Sequence, residues 1–282
     1  MAQAWTFPRG NVPSHCALFD ADAHLRCLVH GRFRSDPRAL RAALHLFDDL
    51  GVFVGQDEHR VMEDGDYRGR VVIAPVLPVG RYAVHLEQVD AALHAVDAFV
   101  TQLEARAQEP VRFSARRVPV RFFRTVGKTT PSAFVDEGAL SYNVAGQLNR
   151  TLESARDTLV HELFHLHDAR RDAWSVSTLD PVYQRIVQRC GGDQACLAPF
   201  APHDTKVDGG IYYAFHPTSD VAEYAAELAI RFYRESNAAL AGNAVAAPFK
   251  CSHEDNAAAW GAMAREFFGG VDVVGDCPAA PQ

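Results

Sequence analysis

The segment His161-Glu162-Leu163-Phe164-His165 sits in a stretch with helical periodicity from about residue 151 to 171. Imidazoles four residues apart fall on one helix face, one turn above each other. The surrounding Leu159, Val160, Leu163, Phe164 and Leu166 are apolar, which predicts a buried helix and not a solvated rim. Buried His and Glu side chains need partners, because each unpaired buried polar group costs about 1–3 kcal/mol. A divalent metal meets that need. Two His at this separation grip one Zn²⁺ and leave coordination positions open, and Glu162 stands where it can act as general base on an activated water. Any fold for this chain must therefore bury this helix and bring a third ligand to its polar face.

Few other features compete with that constraint. The 282 residues suffice for one large or two modest domains. Hydrophobic residues make up 48% and charged residues 22%, as in ordinary globular chains. No apolar run approaches the ~20 residues of a membrane span. A net charge of −7 argues against a general nucleic-acid partner. The six Cys contain no C-x-x-C and fall as three sequence-near pairs, 16/27, 190/196 and 251/277. That pattern reads as three disulfides in an oxidising compartment, the competing reading being reduced buried thiols in the cytosol. The disulfide reading places the protein outside the cell or in the periplasm. Residues 1–9 show neither a basic nor an apolar export region, so an export signal would already be removed.

Periodicity and turn residues predict an α+β protein. Residues 1–35 read as irregular or strand. Asp36-Pro37 opens a helix that Gly51 ends, and 51–55 and 67–77 are strand-like around a turn at Asp64-Gly65. A long amphipathic helix spans 87–107, with Val89, Leu93, Val96, Val100 and Leu103 at helical spacing. Val111–Val126 reads as one or two strands interrupted at Pro119, and 138–145 as a further strand. A loop at 190–217 precedes helices near 219–235 and 255–268. The expected organisation is an N-terminal α/β region, 1–110, packed on or part of a catalytic domain at 111–282.

The third metal ligand is sought downstream. In Ser219-Asp-Val-Ala-Glu223-Tyr-Ala-Ala-Glu227, two Glu stand at i and i+4 among Ala222, Ala225, Ala226 and Ala229. Small side chains allow close approach to the His-bearing helix, so one Glu can bind the metal and the other hydrogen-bond a ligand His. The bland alternative is a solvated acidic face. Asp168, Asp172 and Asp180 are competing carboxylates; Asp168 more naturally orients a His. His167 points away from the two ligands by helical phase.

His161-Glu-Leu-Phe-His165-Leu-His-Asp168 followed by Glu223-Tyr-Ala-Ala-Glu227 resembles the gluzincin metallopeptidases, most nearly the anthrax-lethal-factor-like group with its HExxHxxD and later ExxxE helix. A metzincin would carry His and Gly where this chain has Arg171 and Asp168. Thr178-Leu-Asp180 only faintly matches the aspzincin pattern. The gluzincin resemblance covers roughly 140–235. It implies a zincin-like domain with a small mixed sheet, an active-site helix and a Glu-bearing ligand helix. It also implies Zn²⁺ held by His161, His165 and Glu223, with Glu162 as base and Glu227 or Asp168 behind the ligands. That group carries a Tyr seven residues before the ligand Glu. Here the position is His216, so His216 or a neighbour such as Tyr213 becomes the expected oxyanion donor.

The expected activity is hydrolysis of peptide bonds in a protein or peptide substrate. An amidase and a zinc-retaining binding protein are the alternatives. The 138–145 strand is the expected substrate edge, with Tyr142 and Asn143 in the cleft. The basic run Arg112, Arg116, Arg117, Arg121, Arg124 and Lys128 reads as a solvated sheet face, or as a feature favouring acidic substrates.

Overall fold

Asp36-Pro37 and Gly51 bracket a helix as their chemistry requires. The Asp36 carboxylate accepts from Arg38 N at 3.0 Å and Ala39 N at 3.1 Å, and Gly51 takes the left-handed conformation (φ 64°) that ends it. The computed structural model describes residues 16, 21–57, 70–207 and 209–277. The expected turn at Asp64-Gly65 lies outside them, as does most of the expected irregular N-terminus.

Among the described residues the elements run α1 (Ala21–Phe33), α2 (Pro37–Leu50), β1 (Phe53–Asp57), β2 (Ile73–Pro75) and α3 (Ala83–Glu104). Then come β3 (Pro119–Thr125), β4 (Ala133–Asp136), β5 (Ala139–Asn143), α4 (Leu152–Ala169) and α5 (Trp174–Cys190). The last are α6 (Gln194–Leu197), β6 (Lys206–Val207), β7 (Ile211–Tyr212), α7 (Val221–Leu240) and α8 (Glu254–Phe267). The fold is α+β, and three disulfides, Cys16–Cys27, Cys190–Cys196 and Cys251–Cys277, join the sequence-near pairs.

Two compact units divide the chain. One comprises Met1–Asp97 with Ala115–Glu162, the other Ala98–Ser114 with Leu163–Gln282.

The first unit holds a five-stranded mixed sheet of order β1-β3-β5-β4, with β2 also paired to β3. β1 and β5 run parallel to β3, while β4 is antiparallel to β5. Residues 21–33 are helical, not irregular: Leu28, Val29 and Phe33 are fully buried, and the helix packs on α2 and β1. The run from Val111 forms only one strand, which begins at Pro119, where a missing N–H costs no interior ladder bond.

The expected substrate strand is corrected here. β5 lies inside the sheet between β3 and β4, and all five of its residues are buried. Tyr142 and Asn143 have no exposure. Asn143 ties the end of β5 to its surroundings. Its Nδ2 donates to Pro131 O at 2.7 Å and Thr125 Oγ1 at 3.0 Å, and its Oδ1 accepts from Ala145 N at 2.9 Å. Asn149 then donates to Ser132 O at 2.7 Å and Asn143 O at 2.9 Å. Gly146 allows the close approach: a Cβ there would stand 2.6 Å from Asn149 Nδ2 and 2.9 Å from Ser132 Cα. This knot of amides launches α4.

The second unit is helical, with a two-stranded β6-β7 ribbon. α5, α7 and α8 pack together through aromatic rings. Phe232 stacks on Phe268 at 4.2 Å and lies 4.6 Å from Trp260, and Tyr183 stacks on Phe215 at 5.8 Å.

Two outcomes follow for the first unit. Asn143→Leu leaves buried partners without their donors and lowers unfolding free energy by about 2–3 kcal/mol in a urea titration. His85 is the second. Burial lowers its pKa from 6.5, against a smaller opposing hydrogen bond with Gln88. The fold thus favours the neutral ring, so its contribution is full above the unfolded value and lost as pH falls from there through the lowered folded value. Urea midpoints measured across that window should decline more steeply in the wild type than in His85→Gln.

Candidate metal centre

α4 is one continuous helix, and Thr151 caps its start by accepting from Ser154 N at 3.1 Å. Its burial is as the flanking apolar residues predict: Leu159, Val160, Leu163 and Phe164 have no exposure, His161 is 9% exposed and Glu162 7%. Phe164 meets Phe267 edge-on at 5.2 Å, and Phe267 in turn meets Trp174 at 4.9 Å. His167 points elsewhere, as helical phase requires. Its Nε2 lies 3.0 Å from Ser114 N and 2.9 Å from Ser114 O, its ring lies 5.2 Å from Phe113, and burial lowers its pKa.

The ligand helix α7 starts at Asp220, whose carboxylate accepts from Ala222 N at 2.9 Å and Glu223 N at 3.3 Å. That cap fixes the backbone of Glu223 in the first turn. Ala225, Ala226 and Ala229 are fully buried, which is what close packing of this helix needs. Glu223 Oε2 lies 3.6 Å from His165 Nε2, and both side chains keep about a quarter of their surface exposed, 26% and 22%. His161 follows from helix geometry one turn before His165. One ligand atom from each of His161, His165 and Glu223 falls within 4.8 Å of the others.

This donor set fits zinc. Bonds of ~2.0–2.1 Å at tetrahedral angles put ligand atoms roughly 3.4 Å apart, so a small closing of the side chains completes the set. Two imidazoles and one carboxylate are also donors that zinc takes in sites with an open position. Among the described residues one other such cluster occurs, His45, Asp49 and His94.

The competing carboxylates are not members of this group. Asp168, expected behind a ligand His, spends both oxygens on Ser175, accepting from its N at 2.8 Å and its Oγ at 2.6 Å. It is a brace between α4 and α5, because the chain turns back through left-handed Asp172 and Ala173 (φ 52° and 54°) and brings Ser175 beneath it. Asp180 lies within α5, where it accepts from Gln184 Nε2 at 3.1 Å.

Glu227 is buried (3% exposed), and its Oε2 lies 3.4 Å from His203 Nδ1. His203 Nδ1 also lies 2.6 Å from Thr205 Oγ1. Sequence reasoning missed His203, since Pro202-His203-Asp204 sits in a loop with no periodicity to give it a direction.

Tyr213 is the first residue of a short 3₁₀ turn, Tyr213–Phe215, and His216 caps its end. His216 is buried, and its Nδ1 lies 2.9 Å from Thr218 Oγ1 and 3.2 Å from Thr218 N. Tyr213 is half-buried, with its N bonded to Thr205 O at 2.9 Å.

Three of the six residues in the basic run stand in ion pairs. Arg116 forms a two-pronged bond with Asp97 at 2.6 and 2.7 Å, Arg112 lies 3.1 Å from Glu266, and Arg121 lies 3.8 Å from Glu137.

No family model, no curated protein and no solved structure matches the chain.

Asp168→Ala separates brace from ligand support. It should cost about 2–3 kcal/mol in chemical denaturation while zinc affinity holds, because Ser175 loses both acceptors. A residue that oriented a ligand imidazole would instead lose 10–100-fold in affinity.

Proposed function

We propose that this protein is a secreted, zinc-dependent endopeptidase of zincin-like architecture, with the active site on α4 and α7. The observation that carries the reading is the convergence of His161, His165 and Glu223, with Glu162 beside the first ligand on the same helix. The resemblance to gluzincins supports it, as do three disulfides, which belong to an oxidising compartment. No helix among the described residues is long and apolar enough to cross a membrane.

His161, His165 and Glu223 would hold the metal. When bound, zinc supplies Lewis-acid polarisation of the scissile carbonyl and lowers the pKa of a water. The remaining chemistry belongs to the chain. Glu162, only 7% exposed, is held by its helix where it takes a proton from the attacking water and delivers it to the leaving amine. His216, whose Nδ1 is engaged by Thr218, or Tyr213 donates to the oxyanion. Glu227, buried one turn after Glu223 on the same helix, is the carboxylate expected to support a ligand from behind. The edge that accepts an extended substrate is that of β4, since β5 is enclosed.

The test uses purified protein and a panel of unstructured protein substrates. A chelator should abolish cleavage, and added zinc should restore it. Glu162→Gln should keep stoichiometric zinc and lose roughly 10²–10⁴-fold in kcat/KM. Cleavage unchanged in Glu162→Gln, or no zinc in the wild type, would overturn the reading.

A further inference from the structure

We propose a second divalent-metal site in the first unit, formed by His45 and Asp49 of α2 and His94 of α3, that clamps these two helices together. It is independent of the site on α4 and α7. Its class of ligand is a borderline transition-metal ion, Zn²⁺, Co²⁺ or Ni²⁺, which imidazole and carboxylate donors suit.

The argument starts from helix periodicity. His45 and Asp49 stand at i and i+4 on α2, and Asp90 and His94 at i and i+4 on α3. Each helix therefore presents one imidazole and one carboxylate on a single face. The four side chains meet. His45 Nε2 lies 3.3 Å and His94 Nε2 3.5 Å from the same oxygen, Asp49 Oδ2. One ligand atom from each of the three residues falls within 4.8 Å of the others.

Asp90 supplies what a metal-binding imidazole needs on its far side. Its Oδ1 lies 2.8 Å from His45 Nδ1 and 3.0 Å from His94 Nδ1. His94 Nδ1 also lies 2.9 Å from the Asp90 backbone O. In the tautomer in which each neutral ring donates from Nδ1 to Asp90, both Nε2 lone pairs turn toward Asp49. A metal-ligating His commonly has such a carboxylate behind it, fixing tautomer and orientation.

That arrangement also leaves a defect that a cation would cure. With their protons on Nδ1, both Nε2 atoms are acceptors facing an acceptor oxygen. His94 Nε2 is shut off from solvent and makes no hydrogen bond. The rings lie nearly parallel, 4.1 Å between centroids at 14°, so a tilt of the two toward each other brings both Nε2 lone pairs onto one ion. An ion between these nitrogens and Asp49 Oδ2 turns three mutually opposed lone pairs into three bonds. His45 and Asp49 keep about half their side-chain surface exposed, 53% and 55%, so the ion has an entry path and room for water ligands. The donors stand on two well-formed helices, so little ordering is needed on binding.

The experiment counts zinc in the full-length protein after removal of metal, reloading and dialysis, with a calorimetric titration in parallel. The wild type should hold two equivalents. His45→Gln/His94→Gln should hold one and keep any peptidase activity, while His161→Ala/His165→Ala should hold the other one. Asp90→Asn should weaken the His94-dependent equivalent about 10–100-fold. Zinc should raise the melting temperature of His161→Ala/His165→Ala, and adding His94→Gln should remove that rise. A metal content unchanged by His45→Gln/His94→Gln would overturn the proposal. So would zinc wholly lost with His161 and His165. If the reading of the α4–α7 site fails instead, the wild type holds one equivalent that only the His94 variants remove. Should a variant fold poorly, cobalt-loaded wild type gives a second measure: two spectrally distinct saturation steps support the site, and one step with a single equivalent bound at His161 and His165 overturns it.

Discussion

Everything about the candidate centre depends on the burial of one helix. α4 carries His161, Glu162 and His165 on a rod whose other faces are filled by Leu159, Val160, Leu163 and Phe164. Each of those residues anchors the rod against rotation, so the imidazoles cannot turn away without exposing apolar surface at about 25 cal/mol per Å². The amide knot of Asn143 and Asn149 fixes where the rod begins, and the Asp168–Ser175 brace fixes where it ends. Metal-site precision, on this view, is inherited from apolar packing and from buried amides that never touch a ligand.

How much of this was legible from residue order varies with the type of signal. That His161, His165 and Glu223 come together was open to reading because both helices that carry them are legible, and i, i+4 spacing fixes the direction of a side chain. The helix at Pro37–Leu50 was legible from its cap and its terminal glycine, and the disulfides from sequence proximity. What escaped depends on tertiary placement. Residues 138–145 read as a strand, but nothing in them says that β5 is interior and β4 its outer neighbour. α5 escaped because Pro181 lies within it and a left-handed Ala173 starts it, both unfavourable local signals that packing overrides. Asp168 stood at a spacing suited to a ligand His, yet a turn four residues later supplied a better donor pair.

His45, Asp49, Asp90 and His94 show the same lesson in reverse. Each pair has the spacing that made His161 and His165 conspicuous, but one His beside one Asp on a helix face carries no motif. Only when α2 and α3 lie side by side do the two half-sites become one cluster.

The short β4 has a consequence of its own. Among the described residues the sheet ends at β4, and a terminal strand offers backbone groups to any other extended chain, including a second copy of itself. β4 spans four residues and runs directly into Asp136-Glu137, so few ladder bonds are on offer and negative charge sits at their end. Such an edge can receive a short extended segment for as long as a reaction needs, yet it is too brief and too acidic to seed lasting self-association. Protection from aggregation would then come from the same brevity that lets a bound segment leave.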